Sequence, residues 1–234
     1  MNPSNDPIHT LLKAPIFEGL RLEDLEVLRP AVRLRRFNRG VYLFREGDPG
    51  SHLYMVTRGQ VKIGSVGEGG GEVVFAIAGP GEIFGELSLF DPEGERSADA
   101  EALEPTECII VGKAPLIRVL TAQPKLMLRI IGVLSMYVRR KDASIGESAF
   151  LDIPGRVASK LVELADTRGR ATADGVVIEM PLSQRTLAGM VGASRENVNR
   201  ALRRFAGLGY IRQGRGFITV LDRARLSSRA MAHG

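Results

Sequence analysis

Along the chain, apolar positions change spacing twice. Near the start, Leu22, Leu25 and Leu28 recur at helical spacing behind Glu18-Gly19, which predicts a first helix near Leu20 to Leu28. From Val32 to Gly112 the apolar residues come instead in short or alternating runs: Val41 to Phe44, Leu53 to Val56, Val61 to Ile63, Val73 to Ile77 and Cys108 to Val111. Glycines at 40, 47, 50, 59, 67, 79, 81 and 94 cut them apart. Strands this short and this regularly punctuated predict an antiparallel β-roll or jelly roll.

Helical periodicity resumes near Ala114. After Gln123-Pro124 a long helix is expected to run to about Phe150, roughly 40 Å at 1.5 Å per residue. Met127, Ile131, Leu134, Val138 and Ile145 fall on an a/d seam. Such a stripe either packs on its own roll or forms a dimer interface. A helix this long overruns a small roll, which favours the coiled-coil dimer. Asp152-Ile153-Pro154-Gly155 is expected to break the helix. A helix from about Arg156 to Thr167, a polar loop from Arg168 to Gly175 and a strand from Val176 to Met180 should follow.

Ser183 to Phe205 then reads as two capped helices around a tight turn. Ser183 and Ser194 are N-cap candidates, and Gly192 suits the turn. In the second helix Val198, Ala201, Leu202 and Phe205 share one face, while Arg195, Glu196, Asn199, Arg200 and Arg203 share the other. Arginine can fork onto guanine and glutamate can accept from the cytosine amino group. A carboxylate set among arginines therefore favours sequence readout over a merely solvated face. Tyr210 to Val220, turning at Gly214-Arg215-Gly216, reads as a β-hairpin wing.

Charge sharpens this picture. Residues 151–234 carry 14 Lys+Arg against 7 Asp+Glu, or +7, whereas residues 1–150 sum to −2. A basic C-terminal third points to a polyanion partner. The single cysteine, Cys108, forms no internal disulfide or cluster nest, and His9, His52 and His233 are scattered. The run Gly67 to Gly71 lacks the Lys-Ser/Thr of a P-loop and reads as a hairpin turn. No catalytic constellation and no metal site emerge, so no enzyme is expected. No run of about 18 apolar residues exists, and Met1 to Thr10 is not a signal peptide, so cytoplasmic residence without a membrane partner is expected.

Phe84 to Phe90, followed by Glu95-Arg96-Ser97-Ala98, carries a second kind of chemistry. A glycine lets backbone amides approach a phosphate, an arginine pairs with the anion, a serine donates to it, and a glutamate accepts from ribose hydroxyls. The bland alternative is a β-turn with a surface Arg–Glu pair.

Val191 to Arg200 closely resembles the recognition-helix motif of the cyclic-AMP receptor protein / fumarate-nitrate regulator family, and the similarity runs from about Ile16 to Asp222. It implies an α+β chain: a β-roll sensor of cyclic-nucleotide-binding type over 1–113, a dimerisation helix over 114–151 and a winged helix-turn-helix over 152–234. It implies a ligand set of Gly85, Glu86, Leu87, Arg96, Ser97 and Ala98. It implies base reading by Arg195, Glu196 and Arg200, with Ser183, Arg185, Ser194 and Asn197 near DNA, and a TGTGA-type inverted repeat. Asn199 stands where the best-known member has glycine, so outer bases are expected to be read differently. Lys141 and Asp142 replace the threonine and serine that contact adenine across the dimer. Cyclic AMP is the first expected effector, none being tightly bound as a cofactor. A seam ion pair between Lys141 and Asp142 would instead suit a ligand-independent activator. A carboxylate facing a guanine edge would suit cyclic GMP or cyclic di-GMP. Partners implied are double-stranded DNA, RNA polymerase and a second copy of the chain. The rival classes are a nucleotide-binding module with a protein output and a nucleoid-type DNA binder.

Overall fold

A computed structural model describes residues 6–67, 69–178, 183–214 and 216–231. The expected strand end at Glu179-Met180, the wing residue Arg215 and His233 lie outside the described residues. The chain divides into two compact units, Met1–Val66 with Phe75–Tyr137 and Gly67–Val74 with Val138–Gly234.

The first unit opens with α1 (Pro7–Leu12), capped by Asp6, whose carboxylate accepts from the Ile8 amide at 3.1 Å. Its Ile8 and Leu11 enter the core. The expected helix from Leu20 to Leu28 is the shorter α2 (Leu22–Glu26), followed by a 3-10 turn over Arg29–Ala31. Pro30 explains the shortening, since it tolerates the start of a helix but not its interior.

Eight strands follow: β1 (Val32–Phe37), β2 (Tyr42–Phe44), β3 (His52–Arg58), β4 (Val61–Val66), β5 (Glu72–Ala78), β6 (Ile83–Phe84), β7 (Asp99–Ala102) and β8 (Thr106–Gly112). They pair as two four-stranded sheets, β1-β8-β3-β6 and β2-β7-β4-β5. The β1–β8, β3–β8, β3–β6, β2–β7 and β4–β7 pairs are antiparallel. A short helix α3 (Leu87–Phe90) sits between β6 and β7, and α4 (Lys113–Ala122) leads to α5 (Pro124–Phe150), whose residues up to Tyr137 belong to this unit. Leu11, Phe17, Leu25, Leu28, Leu53, Ile109, Leu116 and Leu126 form one cluster; Tyr54, Val56, Val61, Phe84 and Cys108 belong to another. Cutting a fully buried leucine such as Leu116 to alanine costs about 2–5 kcal/mol.

The seam on α5 is split. Met127 and Leu134 pack against the unit's own core. Leu128, Ile131, Val138 and Ile145 stay exposed at 67%, 51%, 59% and 69%. These four recur at steps of three and seven, a narrow apolar stripe on one face. The register puts Asp142, rather than Lys141, in line with it; both side chains are exposed.

The helix breaks where expected, α5 ending at Phe150 and a new helix starting at Ile153. Asp152 is the N-cap of this α6 (Ile153–Arg168), accepting from the Gly155 amide at 2.8 Å with Pro154 in the first turn. Proline has no N–H to lose there, and its fixed φ suits a helix start. The segment expected as a polar loop forms β9 (Gly169–Thr172), which pairs with β10 (Gly175–Ile178). The helices α7 (Gln184–Val191) and α8 (Arg195–Gly207) lead to β11 (Ile211–Gln213), β12 (Ile218–Val220) and α9 (Arg223–Met231). The sheet runs β11-β12-β10-β9. Arg223 donates to both Asp166 oxygens at 2.9 and 2.6 Å, and Arg229 donates to Asp152, so α9 is tied to α6 at both ends. Among the described residues no single helix is long and apolar enough to cross a membrane.

Candidate ligand pocket and nucleic-acid interface

In the first unit, β6 is followed by Gly85, whose φ of +78° lies in the left-handed region that favours glycine. A Cβ there would stand 2.7 Å from the Arg96 Nη1 atom, so the glycine also makes room for the arginine. Glu86 follows as the N-cap residue of α3. On the facing segment, the Arg96 amide donates to the Asp48 carbonyl and the Gly47 amide to the Arg96 carbonyl, both at 2.9 Å. Those bonds set Arg96 pointing inward.

Its guanidinium is almost wholly buried. Nη1 donates to the Gly85 carbonyl at 2.8 Å and to the Ser88 hydroxyl at 2.9 Å, and Nη2 donates to the His52 carbonyl at 2.9 Å. Its carbon lies 4.1 Å from the centre of the Phe44 ring and 5.5 Å from that of Tyr54, a cation–π arrangement. Burial lowers the Arg96 pKa from its ordinary value, and the same burial pushes the Glu86 carboxyl above the usual carboxylate range.

Two polar atoms in this pocket stand out. Arg96 Nε and Glu86 Oε2 are both buried, and neither has a hydrogen-bond partner among the described residues. Groups of this kind are expensive unless something outside the chain meets them. One is a cationic donor that needs an acceptor; the other is an acceptor that needs a donor. Ala98 is buried beside them in sequence, whereas Ser97 and Leu87 are exposed. Lys141 and Asp142 belong to the other compact unit.

Three features here were missed by sequence reasoning. Ser88 holds the arginine and the Gly85 carbonyl together, accepting from the former and donating to the latter at 3.2 Å. Phe44 and Tyr54 supply the aromatic faces. The only cue was their place in apolar runs, which reads equally well as core.

In the second unit the turn between α7 and α8 takes the expected form. The Ser183 hydroxyl accepts from the Thr186 amide at 3.0 Å and Ser194 from the Asn197 amide at 3.3 Å. Gly192, at φ +60°, ends α7. Val198, Ala201, Leu202 and Phe205 are buried, which leaves Arg195, Glu196 and Arg200 exposed on the opposite face. The Glu196 carboxylate is held below its usual range by its own amide, then by the Ser194 hydroxyl and the charge of Arg195. It is therefore an ionised acceptor. Asn197 and Asn199 are half-buried, and the Gln184 amide nitrogen donates to Asn199 Oδ1 at 3.4 Å. Ser183 and Arg185 are exposed at the start of α7.

Comparison with known proteins agrees with both halves. Residues 34–123 match the cyclic nucleotide-binding domain family and residues 155–229 the Crp-like helix-turn-helix domain family. The chain is 35% identical over 220 residues to the CRP-like cAMP-activated global transcriptional regulator of Mycobacterium tuberculosis, covering 94% of this chain and 98% of that one. It is 32% identical over 213 residues to the cyclic AMP receptor protein of Thermus thermophilus, covering 91% and 95%. Among solved structures, the c-di-GMP responsive global regulator CLP of Xanthomonas campestris superposes with a TM-score of 0.73 at 25% identity, over 86% of this chain and 99% of that one. With a cyclic nucleotide-binding domain and a Crp-like helix-turn-helix domain in one chain, the protein belongs to the family of CRP-like transcription regulators, which are not enzymes.

Proposed function

We propose that the chain acts as a cytoplasmic homodimer whose affinity for TGTGA-type inverted repeats is set by a cyclic nucleotide, cyclic AMP first. The observation that carries the sensor half is the orphan pair in the pocket. Arg96 Nε asks for an anionic acceptor and Glu86 Oε2 for a hydroxyl donor, and a cyclic nucleotide offers a phosphate and a ribose hydroxyl side by side. Gly85, Leu87, Ser97 and Ala98 complete the cradle. Lys141 and Asp142 from the long helix meet the base.

The reading half rests on the exposed Arg195, Glu196 and Arg200; Ser183, Arg185, Ser194 and Asn197 are assigned to the DNA near them, and Asn199 to the outer bases. Leu128, Ile131, Val138 and Ile145 are the dimer seam. The working parts are the sensor over 1–113, the dimer helix over 114–151 and the DNA-binding part over 152–234. Ligand in the sensor biases the packing of the paired helices, which sets the two reading helices about 34 Å apart, one turn of DNA. RNA polymerase is the partner that converts occupancy into transcription.

A second reading has its own support. Asp142 stands in register with the exposed stripe, and a carboxylate there suits a guanine edge, hence cyclic GMP or cyclic di-GMP. Calorimetric titration of the purified protein with cyclic AMP, cyclic GMP and cyclic di-GMP separates the two. Heat with cyclic AMP supports the first reading, and heat with a guanine nucleotide alone supports the second. No heat with any of them leaves a ligand-independent regulator.

A further inference from the structure

Arg156 was not singled out by any motif, yet it occupies a telling position. It lies in the first turn of α6, its amide donating to the carbonyl of the N-cap residue Asp152 at 2.9 Å. Its side chain crosses to the end of α7. There Nη1 donates to the Val191 carbonyl at 2.8 Å and to the Gly192 carbonyl at 3.4 Å. Nε is buried and makes no hydrogen bond among the described residues. Both bonds go to main-chain carbonyls rather than to a carboxylate.

Those carbonyls need a partner. The last carbonyls of a helix have no acceptor role inside it, and they form the negative end of the helix dipole. The Gly192 and Ala193 amides turn back to the Ala188 carbonyl, which leaves the Val191 and Gly192 carbonyls for another donor. A guanidinium is suited to the task, being cationic and presenting donors in a fixed plane. Gly192 is the hinge of the turn, and α8 starts three residues later at Arg195. Whatever fixes these two carbonyls fixes the direction in which α8 leaves.

We infer that Arg156 is a positioning residue for sequence readout: it clamps the turn between α7 and α8 to the first turn of α6 and so aims Arg195, Glu196 and Arg200. It touches no base itself. The inference rests on the sequence-reading role proposed for α8, though not on any particular half-site. Because α6 begins at Ile153, with only Leu151 and Asp152 between it and the end of α5 at Phe150, the same clamp would carry a movement at that junction into the aim of α8.

The experiment lets the wild-type protein select its own site from a random-sequence duplex pool. Binding of wild type, Arg156→Gln and Arg156→Lys to that site and to a scrambled duplex is then measured by fluorescence anisotropy at one salt concentration. Loss of the clamp should weaken the selected site about tenfold for Arg156→Gln, while the scrambled duplex changes by no more than about twofold. Arg156→Lys keeps the charge but not the planar fork, and should fall between wild type and Arg156→Gln. It also guards the test against a general loss of folding, which thermal unfolding of each variant reports.

A phosphate-contacting or merely stabilising arginine would lower both duplexes by one factor. That result, or wild-type affinity of Arg156→Gln for the selected site, overturns the inference. A pool with no enriched sequence overturns the reading role and this inference together.

Discussion

Replacing Arg96 with lysine keeps a cation beside Gly85 and Ser88 while removing the planar donor geometry to which the phosphate role is assigned. The guanidinium spends Nη1 and Nη2 on the Gly85 carbonyl, the Ser88 hydroxyl and the His52 carbonyl, and holds Nε in reserve. A lysine ammonium has three donors and no planar fork. If it meets the same acceptors, nothing remains for the ligand; if it turns to the ligand, buried acceptors are stranded. The net loss is about one hydrogen bond to a charged group, roughly 1.5–3 kcal/mol, or about 10- to 150-fold in the dissociation constant. Burial already lowers the pKa of the arginine, and a lysine starts from a lower value, so the loss should deepen as pH rises. Isothermal titration calorimetry with the bound cyclic nucleotide reads the effect directly. Adenosine, which lacks the phosphate, serves as the control and should bind both proteins alike. A folded Arg96→Lys protein that binds the nucleotide within about threefold of wild type would refute the phosphate role.

Other expectations follow from the same geometry. The Glu86 pKa is raised by burial from the ordinary value of 4.5, so its stabilising contribution is complete below that value and fades as pH climbs through the raised one. Glu86→Gln should therefore gain thermal stability over wild type at neutral pH and lose that advantage near pH 4.5; a pH-independent difference would speak against a buried ionising carboxylate. Ile145, 69% exposed on the α5 stripe, is expected to be covered in a dimer, and Ile145→Glu should sediment as a monomer at micromolar concentration while retaining its helix content. An unchanged sedimentation coefficient would rule the stripe out as the seam. Arg195→Ala should lose at least about tenfold affinity for a TGTGA-type inverted repeat, since a bidentate arginine–guanine pair is worth about 1–3 kcal/mol. Equal gel-shift titrations for the two proteins would reject that assignment.

Much of this architecture was legible in the residues because local signals and burial agreed. Pro124 opens α5 and Phe150 ends it, as the proline positions and the apolar period require. Ser183, Gly192 and Ser194 punctuate the reading helices for reasons that are entirely local. Elsewhere the deciding contacts are distant in the chain. The strand Asp99–Ala102 is built from poor strand formers, yet it is sandwiched between β2 and β4, whose ladders impose its conformation. The helix Arg223–Met231 buries only Leu226 and is secured by Asp166 and Asp152, 57 and 77 positions away from their arginines. No hydrophobic period could announce it. Pro154 was legible as punctuation but not in its sense, because a proline at a helix start and one after a helix end look alike until the cap is known. The pocket's ends were legible as motif letters. Ser88, Phe44 and Tyr54 were not, since serine in a short helix and aromatics in strands carry no signature of their own.

The orphaned pair Arg96 and Glu86 is proposed to sense a nucleotide, and α8 to report the result to DNA. Operator affinity of one protein preparation, measured by fluorescence anisotropy with and without cyclic AMP, cyclic GMP and cyclic di-GMP, tests this assignment most directly. One of these nucleotides, cyclic AMP first, should tighten binding to the specific duplex by about 5- to 150-fold, the usual range of allosteric coupling, and Arg96→Lys should abolish the difference. Identical affinity with and without every nucleotide, in a protein that binds the specific duplex well, would contradict the assignment.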